Sequence, residues 1–120
     1  MKRKDSTVET DFHPVLTALL FDFDELYRNW GVEVTITSGS EPGTRHCKTS
    51  LHYATPCQAA DIRSWDVMDI SGKVLKAKQQ AAALIEEAED FCMRRNIPVD
   101  WIDLIVESDH IHVEYQPKRR

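Results

Sequence analysis

Between Glu107 and Tyr115 the chain sets two imidazoles and three carboxylates among isoleucine and valine. From His110 onward polar and apolar residues alternate, which is the period of a strand with one buried face. Successive side chains of a strand point to opposite faces, so His110, His112 and Glu114 share one face in steps of about 6.5–7 Å. Ile111, Val113 and Tyr115 then fall on the opposite face, and a row of ligand-type side chains is left on this one. A divalent metal is the partner that such a row calls for; a solvated polar edge strand is the alternative.

The rest of the chain supplies what packs against this strand. Val15, Leu16, Leu19, Leu20, Phe23, Leu26 and Tyr27 recur at three- and four-residue steps and predict a helix from about Phe12 or His13 to Trp30. Pro14 suits its first turn and Gly31 its end. Val32–Thr37 alternates as a strand, and Ser38–Thr49, with two glycines and a proline, reads as a loop. Gln58–Arg63 predicts a short strand from which Asp61 can be aimed.

Ser71 is the natural N-cap for a long helix over Gly72–Arg95, with Val74, Leu75, Ala81, Leu84, Ile85, Ala88, Phe91 and Cys92 on its apolar face. Lys76, Lys78, Glu86, Glu87 and Glu89 make its solvated face, and Asn96 and Pro98 end it. Ile102, Leu104 and Val106 form a strand that turns near Ser108-Asp109 into the return strand Ile111–Tyr115. The expected architecture is α+β: a small antiparallel sheet packed against two main helices.

A chain of 120 residues makes one domain with a sizeable core. A net charge of −5 argues against a general nucleic-acid surface. The basic residues gather at the ends, so residues 1–11 are expected as a flexible N-terminal tail and 117–120 as a basic C-terminal tail around a domain at 12–116. Cys47, Cys57 and Cys92 are odd in number and lack zinc-finger spacing, which points to reduced thiols; a Cys47–Cys57 bridge is the alternative. Met1–Thr10 lacks the apolar core of a signal peptide, and no apolar run nears the roughly 20 residues of a membrane span. Synthesis in the cytoplasm without a signal peptide is expected, with any external target reached by another route, no membrane partner, and a monomer. Trp30, Trp65 and Trp101 are expected as packing residues, and Arg63 as the partner of a nearby carboxylate.

Zinc accepts imidazole nitrogen and carboxylate oxygen, and a catalytic zinc keeps about three protein ligands and one open position. His52, Asp61 and His112 fit that role on chemical grounds and would tie both halves of the chain to one ion. The stretch Ser50-Leu-His52-Tyr53 with Cys57-Gln-Ala59-Ala-Asp61-Ile resembles the Ser-x-His-x-x-Gly-x-Ala-x-Asp motif of the M15 peptidases. These are the zinc D-alanyl-D-alanine carboxypeptidases and L-alanyl-D-glutamate endolysins, which share their fold with the Hedgehog signalling domain. Asp109-His-Ile-His112-Val-Glu114-Tyr115 resembles their second half-motif, an acidic residue three before a zinc histidine, and is closest in form to small phage-type members.

The resemblance covers about residues 32–116 and implies one zinc ion held by His52, Asp61 and His112. It implies Asp109 as general base, with Glu107 competing because Glu107-x-x-His110 repeats the form in a second register. His110 would then stand behind the ligands or stabilise the oxyanion, and Ser50, Arg45 and His46 would hold substrate. The chemistry implied is metal-assisted amide hydrolysis in peptidoglycan stem peptides, zinc bringing its water from a pKa near 15.7 toward about 7. The same residues would serve a non-catalytic zinc module of a phage particle or an intracellular D,D-dipeptidase. Two departures stand out: this chain has two residues more between His52 and Asp61 than the motif, and Cys57 replaces the motif glycine, where a thiolate could close the zinc site.

Overall fold

The computed structural model describes residues 1–39 and 57–117. Helix α1 (Pro14–Asn29) buries Leu16, Leu19, Leu20, Phe23 and Tyr27 along one stripe, as their spacing predicts. The ring Nδ1 of His13 accepts the Val15 N–H at 3.1 Å and caps its start, and Gly31, at φ 78°, lets the chain leave its end. Strand β1 is Lys2–Arg3, β2 is Thr35–Ser38 and β3 is Ala59–Arg63. The short strands β4 (Val67–Met68) and β5 (Val74–Leu75) pair with each other. Helix α2 (Ala77–Arg95) follows, then a 3-10 turn over Val99–Trp101 and the hairpin β6 (Ile102–Val106) and β7 (His110–Tyr115).

The main sheet runs β1-β2-β3-β7-β6. Its β2–β3, β3–β7 and β7–β6 pairs are antiparallel, but β1 joins β2 in parallel, so the sheet is mixed rather than wholly antiparallel. Both helices contribute to the core against Ile36, Ala60, Ile62, Ile111 and Val113. Burial along β7 alternates from His110 to Tyr115, with Ile111, Val113 and Tyr115 inside. The α+β class with two main helices agrees with expectation. No helix among the described residues is long and apolar enough to cross a membrane.

Three local differences have identifiable causes. Residues 1–11 were expected as a tail, yet Lys2–Arg3 pairs with β2 and Val8 is buried. Backbone bonds do this work (Lys2 N–H to Val34 O and Lys4 N–H to Ile36 O, both 2.9 Å), and backbone bonds leave no side-chain pattern. The segment also packs so closely on the end of β2 that a Cβ on Gly39 would collide with the Glu9 carbonyl.

The second helix starts at Ala77, not Gly72. The Asp69 carboxylate accepts from the N–H groups of Ser71 and Lys73, both at 2.9 Å, and from the Ser71 hydroxyl, closing an Asx turn that releases Val74–Leu75 to pair. Gln79 Oε1 then accepts the Lys76 N–H at 3.0 Å at the helix start. Val74 and Ile85, expected on the apolar face, are 46% and 45% exposed. Asn96, left-handed at φ 55°, ends α2 as read.

Strand β2 starts at Thr35, not Val32, because the N–H of Val34 goes to the buried Asp24 carboxylate at 2.9 Å and that of Val32 to Tyr27 O at 3.2 Å. Burial opposes ionisation of Asp24, but hydrogen bonds from Arg28, the Met1 amine and Val34 outweigh it and hold the carboxyl below its usual range. A lowered folded pKa stabilises above the unfolded value of about 3.9, and that stabilisation is lost as pH falls through the folded pKa. Asp24→Asn should therefore cost about 1–3 kcal/mol at pH 7, and the difference should shrink below about pH 4. Urea titrations across pH check this; a difference independent of pH would count against it.

Candidate functional site

Small residues build the floor of the site. Ala59 and Ala60 let β3 lie close between its neighbours, and the strand period turns Asp61 to the face opposite Ile62. Asp61 and His112 are register partners across the β3–β7 ladder. The two residues are 51 apart in sequence, and Nδ1 of His112 stands 2.6 Å from Oδ1 of Asp61. The other ring nitrogen, Nε2, lies 2.7 Å from Oε1 of Glu114. Thr37 Oγ1 donates to the backbone carbonyl of Asp61 at 3.2 Å, tying β2 to the same point.

One imidazole thus sits between two carboxylates, and its side chain is 12% exposed. Burial alone would lower its pKa, yet the hydrogen bonds and charges of Asp61 and Glu114 outweigh burial and raise it. A metal at the nitrogen that faces Asp61 would have to displace its proton, since a ligating imidazole must be neutral.

His110, one step back on the same face, reads two directions at once. Its Nδ1 is 2.7 Å from Asp109 Oδ1, while Nε2 lies 3.7 Å from Asp61 Oδ1 and 3.8 Å from Glu107 Oε1. The turn between β6 and β7 is closed by the Glu107 N–H on the His110 carbonyl at 2.9 Å. Glu107 therefore shares with Asp61 the Nε2 edge of His110, and Asp109 takes the other edge. On β6, Ile105 is the partner of His112 and puts a half-exposed apolar side chain beside it.

His52, Ser50, Arg45 and His46 lie outside the described residues, as does Cys47. Among the described residues no three His, Cys, Asp or Glu side chains form a ready metal cage. Asp61, His112, His110, Glu107 and Asp109 do come together at one end of the sheet.

Cys57 does not join them. It is 1% exposed within the core cluster, its Sγ lies 3.1 Å from the Ala59 carbonyl, and its backbone bridges to Phe12. A thiol spent on packing is not offered to the open face. Cys92 is a free thiol, and the alternative Cys47–Cys57 pairing involves a residue outside the described ones.

Two further expectations change. Trp65 is 65% exposed rather than packed, and Arg63, expected to meet a carboxylate, instead lies 3.8 Å over the Trp65 ring centroid. The nearby Asp66 is taken by Lys76 at 3.1 Å. Glu114 is the residue whose role sequence reasoning missed, although its place two after His112 on the same strand face was the available signal.

No protein-family model matches this chain, and comparison with curated proteins and with solved structures returned no match.

Proposed function

We propose that the chain is a zinc-dependent peptidase of the M15 type, with a Hedgehog/DD-peptidase-like fold, that hydrolyses an amide bond in peptidoglycan stem peptides. The observation that carries this reading is the contact of Asp61 with His112, one residue from each half-motif, as register partners. A carboxylate oxygen facing an imidazole nitrogen, with the second nitrogen of that ring backed by another carboxylate, is a donor set that suits zinc. His52 is the third ligand on the strength of the motif. When bound, zinc supplies Lewis acidity to the scissile carbonyl and to a water.

The chain's own residues do the rest. Glu114 holds the outer nitrogen of His112 and so fixes the ring. Glu107 takes the proton of the attacking water as its oxygen bonds to the carbonyl carbon, and delivers that proton to the amine as the C–N bond breaks. The Nε2 edge of His110 donates a hydrogen bond to the developing oxyanion. Glu107 is preferred over Asp109 as base because it shares with Asp61 the inner edge of His110, whereas Asp109 sits on the outer one.

Glu107→Gln should keep the metal and lower kcat by about 10²–10⁴-fold, while Asp109→Asn should lower it less than about tenfold. The reverse ranking, measured on purified variants of equal zinc content, returns the role to Asp109. The reading as a whole is tested by elemental analysis together with digestion of purified peptidoglycan and mass spectrometry of the released peptides. One equivalent of zinc with new amine ends supports the peptidase and names its bond. Zinc without cleavage makes the chain a non-catalytic module, and failure to take up zinc after reconstitution removes the constellation.

A further inference from the structure

The two edges of the main sheet are built differently. At one end β1 has only Lys2 and Arg3, both basic and exposed, which is how a sheet edge is kept from pairing with another chain. At the other end β6 runs from Ile102 to Val106 with no basic residue, proline, glycine or bulge. Ile105 and Val106 are 48% and 41% exposed, and Val99 just before the strand is 54% exposed. The sequence suggests a monomer; an unguarded apolar edge argues for a partner.

Hydrogen-bond parity tells which main-chain groups face outward. The Glu107 N–H bonds the His110 carbonyl and the Gln116 N–H bonds the Trp101 carbonyl, so Asp103 and Ile105 are the β6 residues bonded to β7. Ile102, Leu104 and Val106 turn their peptide groups the other way. The Ile102 N–H folds back to Val99 O. Among the described residues the Ile102 carbonyl and both groups of Leu104 and of Val106 have no main-chain partner.

We propose that β6 pairs antiparallel with β6 of a second copy of this chain and joins two five-stranded sheets into one. This interface is independent of the peptidase reading. A two-fold axis through Leu104 closes four main-chain bonds: two between Leu104 and the partner's Leu104, and one from each Val106 N–H to the partner's Ile102 carbonyl. It also sets Asp103 opposite the partner's Ile105 and Glu107 opposite the partner's Trp101, so no like charges stand directly across. A slip of two residues either way puts Asp103 against the partner's Asp103 or the partner's Glu107, which costs stability. Charge therefore selects the register that also uses every outward residue. The axis stands perpendicular to the sheet, so both Asp61–His112 faces open on one side, with the two His112 residues about 16 Å apart. A strand pair alone buries less than the roughly 1,200 Å² of a standard stable interface, so the association is weak and concentration-dependent.

The test is sedimentation velocity on the full chain from about 1 μM to 1 mM. A reversible species of twice the chain mass is expected, with a dissociation constant on the order of 10–100 μM. Val106→Pro removes two of the four bonds, and Val106→Lys adds the charge that guards natural edges; each should weaken the pair at least about tenfold, with circular dichroism confirming the fold. Amide exchange at Leu104 and Val106 should slow in step with the dimer fraction. The register is read by the double change Asp103→Cys and Ile105→Cys in a Cys47→Ser background. These positions form a non-hydrogen-bonded pair with Cα atoms about 4.5 Å apart, so oxidation should give a covalent dimer. A monomer up to about 1 mM overturns the proposal and leaves the edge to an extended segment of a different protein. A dimer that neither Val106 change weakens lies elsewhere on the surface, and a dimer that the double cysteine variant does not lock has another register; either result overturns the proposal as well.

Discussion

On the proposed peptidase reading, His112→Ala and Asp61→Ala should each lose stoichiometric zinc and, with it, at least about 10³-fold in kcat/KM on peptidoglycan peptides. The loss is expected to be joint because the two side chains face each other at 2.6 Å, while their immediate chain neighbours, Ile111 and Val113 of β7 and Ala60 and Ile62 of β3, belong to the core. Removing His112 also leaves the mostly buried Asp61 and Glu114 carboxylates without the imidazole between them, so the metal-free variant should itself be less stable. If the parent protein binds zinc only when folded, zinc at about a thousand times its dissociation constant should add roughly 4 kcal/mol of stability. Thermal unfolding with and without zinc reads this directly: a large upward shift in the parent, none in either variant. Variants that keep full zinc and full activity would remove Asp61 and His112 from the site.

Gln80→Leu should destabilise the protein by about 2–4 kcal/mol, more than most single changes at comparable volume. Gln80 is fully buried on α2, yet every polar atom of its amide is used. Its Nε2 donates to the carbonyls of Trp65 at 2.9 Å and Leu75 at 3.1 Å, and its Oε1 accepts from the Tyr27 hydroxyl at 2.7 Å. Burial pushes the Tyr27 phenol well above its ordinary pKa, so that hydroxyl remains a neutral donor in need of an acceptor. Leucine fills the space but strands all three partners in a dry region, where each unsatisfied group is costly.

A double-mutant cycle with Tyr27→Phe should show coupling of about 0.5–3 kcal/mol in urea unfolding. A loss below about 1 kcal/mol for Gln80→Leu would mean that water reaches the site and the network matters little. Because Gln80 also fixes the carbonyl of Trp65, the same change should loosen the ring on which Arg63 rests.

The parts of this protein legible in its sequence are those that a residue shares with its chain neighbours. Period two set His110, His112 and Glu114 on the open face of β7 and Ile111, Val113 and Tyr115 within, and steps of three and four marked the buried stripe of α1. The hairpin after the second helix and the Asn96 stop belong to the same class. Where neighbours sent two messages, the local one failed. Ser71 looked like a helix cap until Asp69 captured its N–H and hydroxyl, and Lys2–Arg3 looked like a tail because its pairing with β2 is made by main-chain bonds.

What only the tertiary structure decided is who stands opposite whom. Asp61 meets His112 through the β3–β7 register, Cys57 turns its thiol to packing, Glu107 reaches the inner edge of His110, and Gln80 joins both helices to the end of β3. Register slips by one residue would exchange the two faces of a strand, so it is chosen by how well every buried side chain fits at once. A periodicity is a property of a segment, whereas a partner across a sheet is a property of the whole core.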